Sequence, residues 1–581
     1  MAEDIQQQII SCDGGLVLNR DTFTQFPGSA LQLQNFEPSI NGGYRRISGT
    51  NKAVILEFND TNLSTSSKTG SGAMLMTSFL NNYIIAARGS VVGRANSTTL
   101  TTTHTASVTT LTVENTSDFA SSGTLFIGTE KITYTGKTST TFTGCSRGAS
   151  STTAVAYSSD TIVSSVWTSI TDARTSASKY TSVRYNFSGT NKIAFADSVN
   201  YPASYDGTTY TLLNGAAGSG LGTAPTASES IIAFKNHMFF AKSTSNELTF
   251  SAPFSENDFT PANGAGSIST NDKIVGLAVF RERLIVFCKT SIYSLTGSSI
   301  ADFSLASITK NIGCLDKFSI QEIGGDLVFL APDGLRTIAG TEKIEDVELG
   351  TVSKPIQERI NEIGYDNISS VVIREKSQYR LFFPTTAGTE SNQLGILGVI
   401  KQSQQGPIGF QWADLKGIKP SCIDSEYIGE IEFVVHGGYD GFVYRQENGS
   451  KFAGTNIKSF YRSPDVIMGD AGIRKNMQRV IGNYRTEGSV SAELRVRYDY
   501  DSPTTPQPEP YTITEGAGTA VYGLASSKYN SAVYGSSGTP LIRQSVEGSG
   551  FAVAIKFDES GGSDSFTLNG FQLEFTAGGR H

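Results

Sequence analysis

The sequence predicts an all-β protein: a β-propeller that carries a small inserted β-barrel or sandwich module and is followed by a C-terminal β-sandwich. Three observations lead there. Gly supplies 60 of the 581 residues, aromatics reach 10% (mostly Phe and Tyr), and charged residues make up only 17%. Turn formers mixed with β-branched and aromatic residues favour short strands over long helices. Short apolar or alternating runs recur beside turn signals. Pairs of such runs return about every 40 to 50 residues, the period of a propeller blade.

The strand-like runs are Met74 to Ala87 (broken by the turn Asn81-Asn82), Lys192 to Ala196, Ile231 to Lys242, Leu277 to Cys288, Gly325 to Leu330, Tyr379 to Phe383 and Glu430 to His436. Three Asp-Gly pairs lie beside such runs: Tyr205-Asp206-Gly207, Pro332-Asp333-Gly334 and Tyr439-Asp440-Gly441. Asp-Gly between strands is a strong hairpin signal. Phe234-Lys235-Asn236-His237 and Phe280-Arg281-Glu282-Arg283 repeat one pattern, an aromatic residue, a polar turn and a buried strand. Six or seven blades would account for residues 70 to 450, divided as 71–97 and 166–455. The alternative is an irregular pair of sandwiches.

Four segments stand outside this repeat. Residues 1–70 are dense in turn residues, with alternating apolar positions at Leu31, Leu33 and Phe36, and predict an extended segment packed on the β-body. Residues 98–165 are Ser/Thr-rich and nearly uncharged. Their strict alternation with Gly at the corners predicts a small inserted β-module, against the alternative of a disordered linker. Ser353 as cap, Pro355 in the first turn, the stripe Ile356, Ile360 and Ile363, and Gly364 as stop predict one helix. Residues 456–581 carry four longer runs, Val480 to Tyr484, Ser489 to Tyr500, Phe551 to Phe557 and Phe566 to Phe575, which predict the C-terminal sandwich. Asp501 to Pro510 is a Pro-rich loop within it.

The net charge is −8 and no basic run is visible. That argues against gripping nucleic acid by phosphate neutralisation, but an acidic wall would let DNA slide past. The five cysteines, Cys12, Cys145, Cys288, Cys314 and Cys422, are scattered and lack any C-x-x-C. They predict free thiols rather than a disulfide or zinc framework. Met1 to Gln8 is polar and is not a signal peptide. No apolar run approaches the ~18 residues of a membrane span.

Catalytic constellations are not apparent, and the expectation is a structural protein with no catalytic, cofactor-binding or metal site. The histidines His104, His237, His436 and His581 do not pair at metal-ligand spacing, and there is no G-x-S-x-G, Walker A or H-E-x-x-H. His436 before Gly437-Gly438 reads as a satisfied histidine at a strand end, or alternatively a base. Asp499 and Asp501 form a D-x-D without the further oxygen ligands calcium needs. Arg45-Arg46 reads as an inter-subunit ion pair or an ordinary solvated pair.

The string GGLVLNRDTFTQFPGSALQLQNFEPSINGGYRRISG (Gly14 to Gly49) resembles the opening of tail nozzle, or tail-tube, proteins of short-tailed bacteriophages. The insert, with TTLTVENTSDF and GTLFIGTEKITYTGKTSTTFTGCSRGAS, is similar to a β-module of several phage tail proteins. Ser459 to Tyr500 and FQLEFTAGG (Phe571 to Gly579) resemble the same group. The resemblance implies a virion protein assembled in the host cytoplasm as a homohexameric ring. That ring would dock below the adaptor, or head-to-tail connector. It would anchor fibres or spikes and continue the channel through which genomic DNA passes without sequence-specific binding. The alternatives are a receptor-binding tail fibre or spike, although no heptads or collagen triplets are present, and a propeller hydrolase of host polysaccharide, which would need converging carboxylates.

Overall fold

In the computed structural model, the described residues are 5–25, 27–59, 72–175, 178–215, 225–339, 351–365, 367–384, 393–402, 408–428, 430–487, 490–515, 541–560 and 562–580. Among them the regular structure is almost all strand, with one short α-helix.

Seven consecutive antiparallel sheets form the propeller. Each blade begins with the strand nearest the axis. These first strands are Met74–Leu80, Thr181–Tyr185, Ser230–Phe234, Ile274–Phe280, Gln321–Ile323, Ser369–Ile373 and Cys422–Ile428. Successive first strands pack against one another, with the 3-10 turn Lys317–Ser319 bridging blades four and five. Cys422–Ile428 packs back against Met74–Leu80 and closes the ring. Blade seven gains its fourth strand from the N-terminal segment: Thr50–Lys52 pairs antiparallel with Val443–Gln446, placing Asn51 opposite Arg445. A chain that enters the ring as the outer strand of the last blade joins the two ends of the propeller without any covalent cross-link.

Apolar residues fill the spaces between blades. Met76, Leu80, Ile85, Phe195 and Tyr205 form one buried cluster between blades one and two. Phe239, Phe250, Leu284 and Val286 form another between blades three and four. The face-to-face packing of twisted sheets explains why middle strands such as Arg283–Cys288 and Asp326–Ala331 read as near-continuous apolar runs, whereas outer strands such as Ser304–Thr309 are largely exposed.

Local turn chemistry sets the hairpins. Lys235 and Asn236, and likewise Arg281 and Glu282, all have positive φ, the type I′ geometry that matches strand twist. Asn81 is also left-handed in the turn joining Leu80 to Tyr83. The three Asp-Gly pairs all fall between paired strands, but at different blade positions. Those at 333–334 and 440–441 join second and third strands; the one at 206–207 joins third and fourth.

The insert follows the third strand of blade one, Val91–Thr99. It builds two small sheets with its own core of Leu111, Phe119, Leu125, Ile132, Tyr134 and Phe142. It is an open two-sheet module, not a closed barrel. One sheet is continuous with blade one through Ile162–Ser165, which pairs with Val91–Thr99.

The C-terminal sandwich is fused to the propeller. Blade six continues through Gln32–Gln34 into Ser459–Arg462, Val553–Glu559, Val490–Tyr498 and Tyr511–Glu515, giving one nine-stranded sheet. The facing sheet is built on the long pair Ile473–Thr486 and Phe566–Arg580, edged by Gln6–Ser11, Phe36–Pro38 and Tyr44–Arg46. One continuous core spans blade six, the N-terminal segment and the sandwich.

The predicted helix is Lys354–Ile356 (3-10) running into Gln357–Asn361 (α), and Ile356, Ile360 and Ile363 are buried as expected. Two details differ. The Ser353 hydroxyl does not cap the helix; it accepts the Leu335 amide at 3.0 Å. Gly364 serves close approach, since a Cβ there would lie 2.7 Å from the Pro384 carbonyl oxygen.

Candidate functional site

All seven blades meet in a cavity of about 230 Å³ on the propeller axis. Its wall mixes apolar side chains with the hydroxyls of Thr77, Thr181, Ser182, Ser230, Ser369 and Ser370. Two amines enter it. Lys179 Nζ donates to the Ile368 carbonyl and to Ser369 Oγ, both at 2.6 Å, and sits 4.1 Å from the Phe318 ring centroid. Burial pulls its ammonium down to about 8. Lys317 pairs with Glu229 at 3.4 Å, and burial lowers it as well. Among the described residues, the one carboxylate on the cavity wall is Asp424. It accepts from Ser78 Oγ at 2.7 Å and pairs with Arg184 at 2.6 Å.

This wall does not assemble the two opposed carboxylates of a glycosidase; a salt-bridged Asp424 lacks its partner here. The cavity is also far too small for duplex DNA, whose major groove alone is ~12 Å across. No sequence motif marked Lys179, Lys317 or Asp424. Their shared property is a place on or beside a first strand, which only the ring closure defines.

The predicted candidates among the described residues each have a structural role. His436 is buried, stacks on Tyr444 with ring centroids 5.2 Å apart, and meets Gln446 Nε2 through Nδ1 at 3.2 Å. Burial lowers it to about 3, so it stays neutral. His104 accepts the Thr112 amide through Nε2 at 3.0 Å. His237 lies in an aromatic cluster with Nδ1 2.6 Å from the Ser251 carbonyl. His581 lies outside the described residues. Asp499 accepts the Phe551 and Ala552 amides, and Asp501 faces Arg462, Arg497 and Lys556. Three cations around Asp501 oppose a calcium ion there. No metal-holding group of three or more His, Cys, Asp or Glu occurs among the described residues. The five cysteines are buried free thiols.

Arg45 and Arg46 depart from both expectations, because their partners are in the same chain. Arg45 forms a fork with Glu487 at 2.8 and 2.9 Å. Arg46 pairs with Glu559 at 3.0 Å, and both side chains are 0% exposed. Beside them, Glu37 takes Lys376 at 2.7 Å and Gln378 at 3.0 Å, while Glu447 pairs with Lys376 and Arg380. This network ties the N-terminal segment to blades six and seven.

No family model and no curated protein matches the sequence. Similar solved structures include the extracellular domain of a one-component system from B. thetaiotaomicron, at 9% identity and TM-score 0.33 over 72% of this chain and 45% of that one. They also include an exo-β-1,3-galactanase from Phanerochaete chrysosporium, at 9% identity and TM-score 0.23 over 87% and 100%, and Hsv2 from Kluyveromyces lactis, at 7% identity and TM-score 0.26 over 59% and 97%. The chain spans under half the length of the B. thetaiotaomicron domains it matches. At these scores the all-β propeller architecture rests on the strand pairing described above.

Proposed function

We propose that this chain is a structural subunit of the tail nozzle of a short-tailed bacteriophage. The observation that carries the reading is where the phage-like strings meet. Tyr44 comes from the Gly14 to Gly49 string, Tyr461 from Ser459 to Tyr500, and Phe571 from the last string. The Tyr44 and Tyr461 rings lie 5.6 Å apart, and the Tyr461 and Phe571 rings stack at 6.0 Å. Strings more than 400 residues apart thus share one aromatic column in the sandwich, so the resembling strings outside the insert fall on one coherent unit.

In this reading the partners are further copies in a homohexameric ring, the adaptor above, and fibres or spikes at the side. The axial cavity of about 230 Å³ is too small to pass duplex DNA, so the DNA duct lies between copies. The net charge of −8 suits a wall that repels phosphates. Electron microscopy of the purified chain with its adaptor, and of virions, tests the proposal. A closed ring of sixfold symmetry below the adaptor is expected. A chain that stays monomeric and is absent from particles overturns it, as does robust release of sugar from host polysaccharide by the chain alone.

A further inference from the structure

A cleft of about 390 Å³ lies where the insert meets blade one. Blade one supplies Tyr83, Arg94 and Asn96; the insert supplies Asp118, Phe119 and Tyr134. The volume falls in the range of small-molecule sites.

The polar groups of this cleft are not used up by the fold. Asn96 is 4% exposed, yet its side chain makes no hydrogen bond to any described residue, and its Oδ1 is buried without a partner. A buried amide left in this state carries an uncompensated desolvation cost, whichever way it is turned. Arg94 donates to the Gly207 carbonyl at 2.6 Å and packs 4.4 Å from the Tyr83 ring centroid, but has no carboxylate partner among the described residues. Asp118 uses Oδ2 to accept the Asn82 amide at 3.0 Å, while Oδ1 receives nothing from a described residue. Between them the two units therefore offer an amide, a guanidinium and a carboxylate oxygen around Tyr83, whose ring carries Arg94.

We propose that this cleft is a saccharide-binding site. Hydroxyl groups both donate and accept, so a sugar ring can satisfy Asn96, Asp118 and Arg94 together. A purely apolar ligand leaves these three groups unpaired, at the cost stated above. A simple phosphate meets Asp118 as a like charge. Both halves of the site come from different units, so saccharide binding requires the insert to be docked on blade one. This inference is independent of whether the chain forms a ring.

The test uses the whole chain. Glucose, galactose, N-acetylglucosamine and glucuronate are screened by saturation-transfer NMR, and hits are titrated by calorimetry. At least one sugar binds saturably at millimolar or lower concentration. Asn96→Ala removes no hydrogen bond from the fold, and Asp118→Asn retains an acceptor for the Asn82 amide. Each weakens binding at least tenfold with an unchanged circular dichroism spectrum, whereas Glu358→Gln on the distant helix leaves it intact. The proposal is overturned if none of the four sugars binds, or if binding survives both cleft variants.

Discussion

At the scale of single residues, what could be inferred depended on how far away the partner lies. The stripe Ile356, Ile360 and Ile363 was legible because helix neighbours are three or four residues apart. The roles of Arg45 and Arg46 were not, because their partners Glu487 and Glu559 lie 442 and 513 residues along the chain. A lone glycine before a strand is similarly ambiguous: Gly364 looks like a helix stop, but its function is contact with Pro384. His436 yields a prediction at this scale. Its native pKa, about 3, lies below the unfolded value of ~6.5. The unfolded chain therefore binds more protons between these values. Stability is fully present above about 6.5 and is lost as pH falls toward 3. Between pH 7.5 and 5.0 this one group removes about 2 kcal/mol. In His436→Gln, the loss of stability on acidification, read from urea-unfolding curves at the two pH values, shrinks by that amount. An unchanged pH dependence would show that His436 is accessible to protons in the native state.

At the scale of elements, hairpins were legible and closures were not. Asn81-Asn82, Lys235-Asn236 and Arg281-Glu282 announce themselves, because a tight turn must be written within a few residues. The strand Thr50–Lys52 carries no such mark. It completes blade seven, and its Asn51 hydrogen-bonds Asn448, 397 residues later. The same holds for Gln32–Gln34, which joins blade six to the sandwich and turns two expected domains into one sheet. The closure is sensitive at Gly49, whose amide donates to the Gly449 carbonyl at 2.6 Å. A Cβ at Gly49 would fall 2.2 Å from the Lys451 carbonyl oxygen, so the backbones must separate. Gly49→Val is expected to cost about 1–3 kcal/mol or more by overpacking. Hydrogen exchange should accelerate in Val443–Gln446 and in blades seven and one, while the insert keeps its protection. Uniform acceleration across the chain would mean that the ring opens only by global unfolding.

At the scale of the whole molecule, the units differ in how separable they are. The sandwich shares a core with blade six and with the N-terminal segment, so neither can be removed without exposing the other. The insert is different. Its core is its own, and its two ends meet where the Leu100 amide donates to the Thr161 carbonyl at 3.0 Å. The flanking strands are already paired, with Thr99 opposite Ile162. Replacing residues 100–161 with a two-residue Asn-Gly turn therefore converts the module into a plain hairpin on blade one. The propeller surface around Tyr83, Arg94 and Asn96 becomes solvated, and Asn82 loses its hydrogen bonds to Asp118 and Ser117. The excised chain is expected to keep its β-sheet circular dichroism and to melt within a few degrees of the parent. It is also expected to lose saccharide binding, since Asp118, Phe119 and Tyr134 leave with the insert. Ring formation, if the subunit reading holds, persists. An excised chain that fails to fold would mean that the module is a structural part of blade one, and that its alternating Ser/Thr-rich strands serve the propeller rather than a ligand.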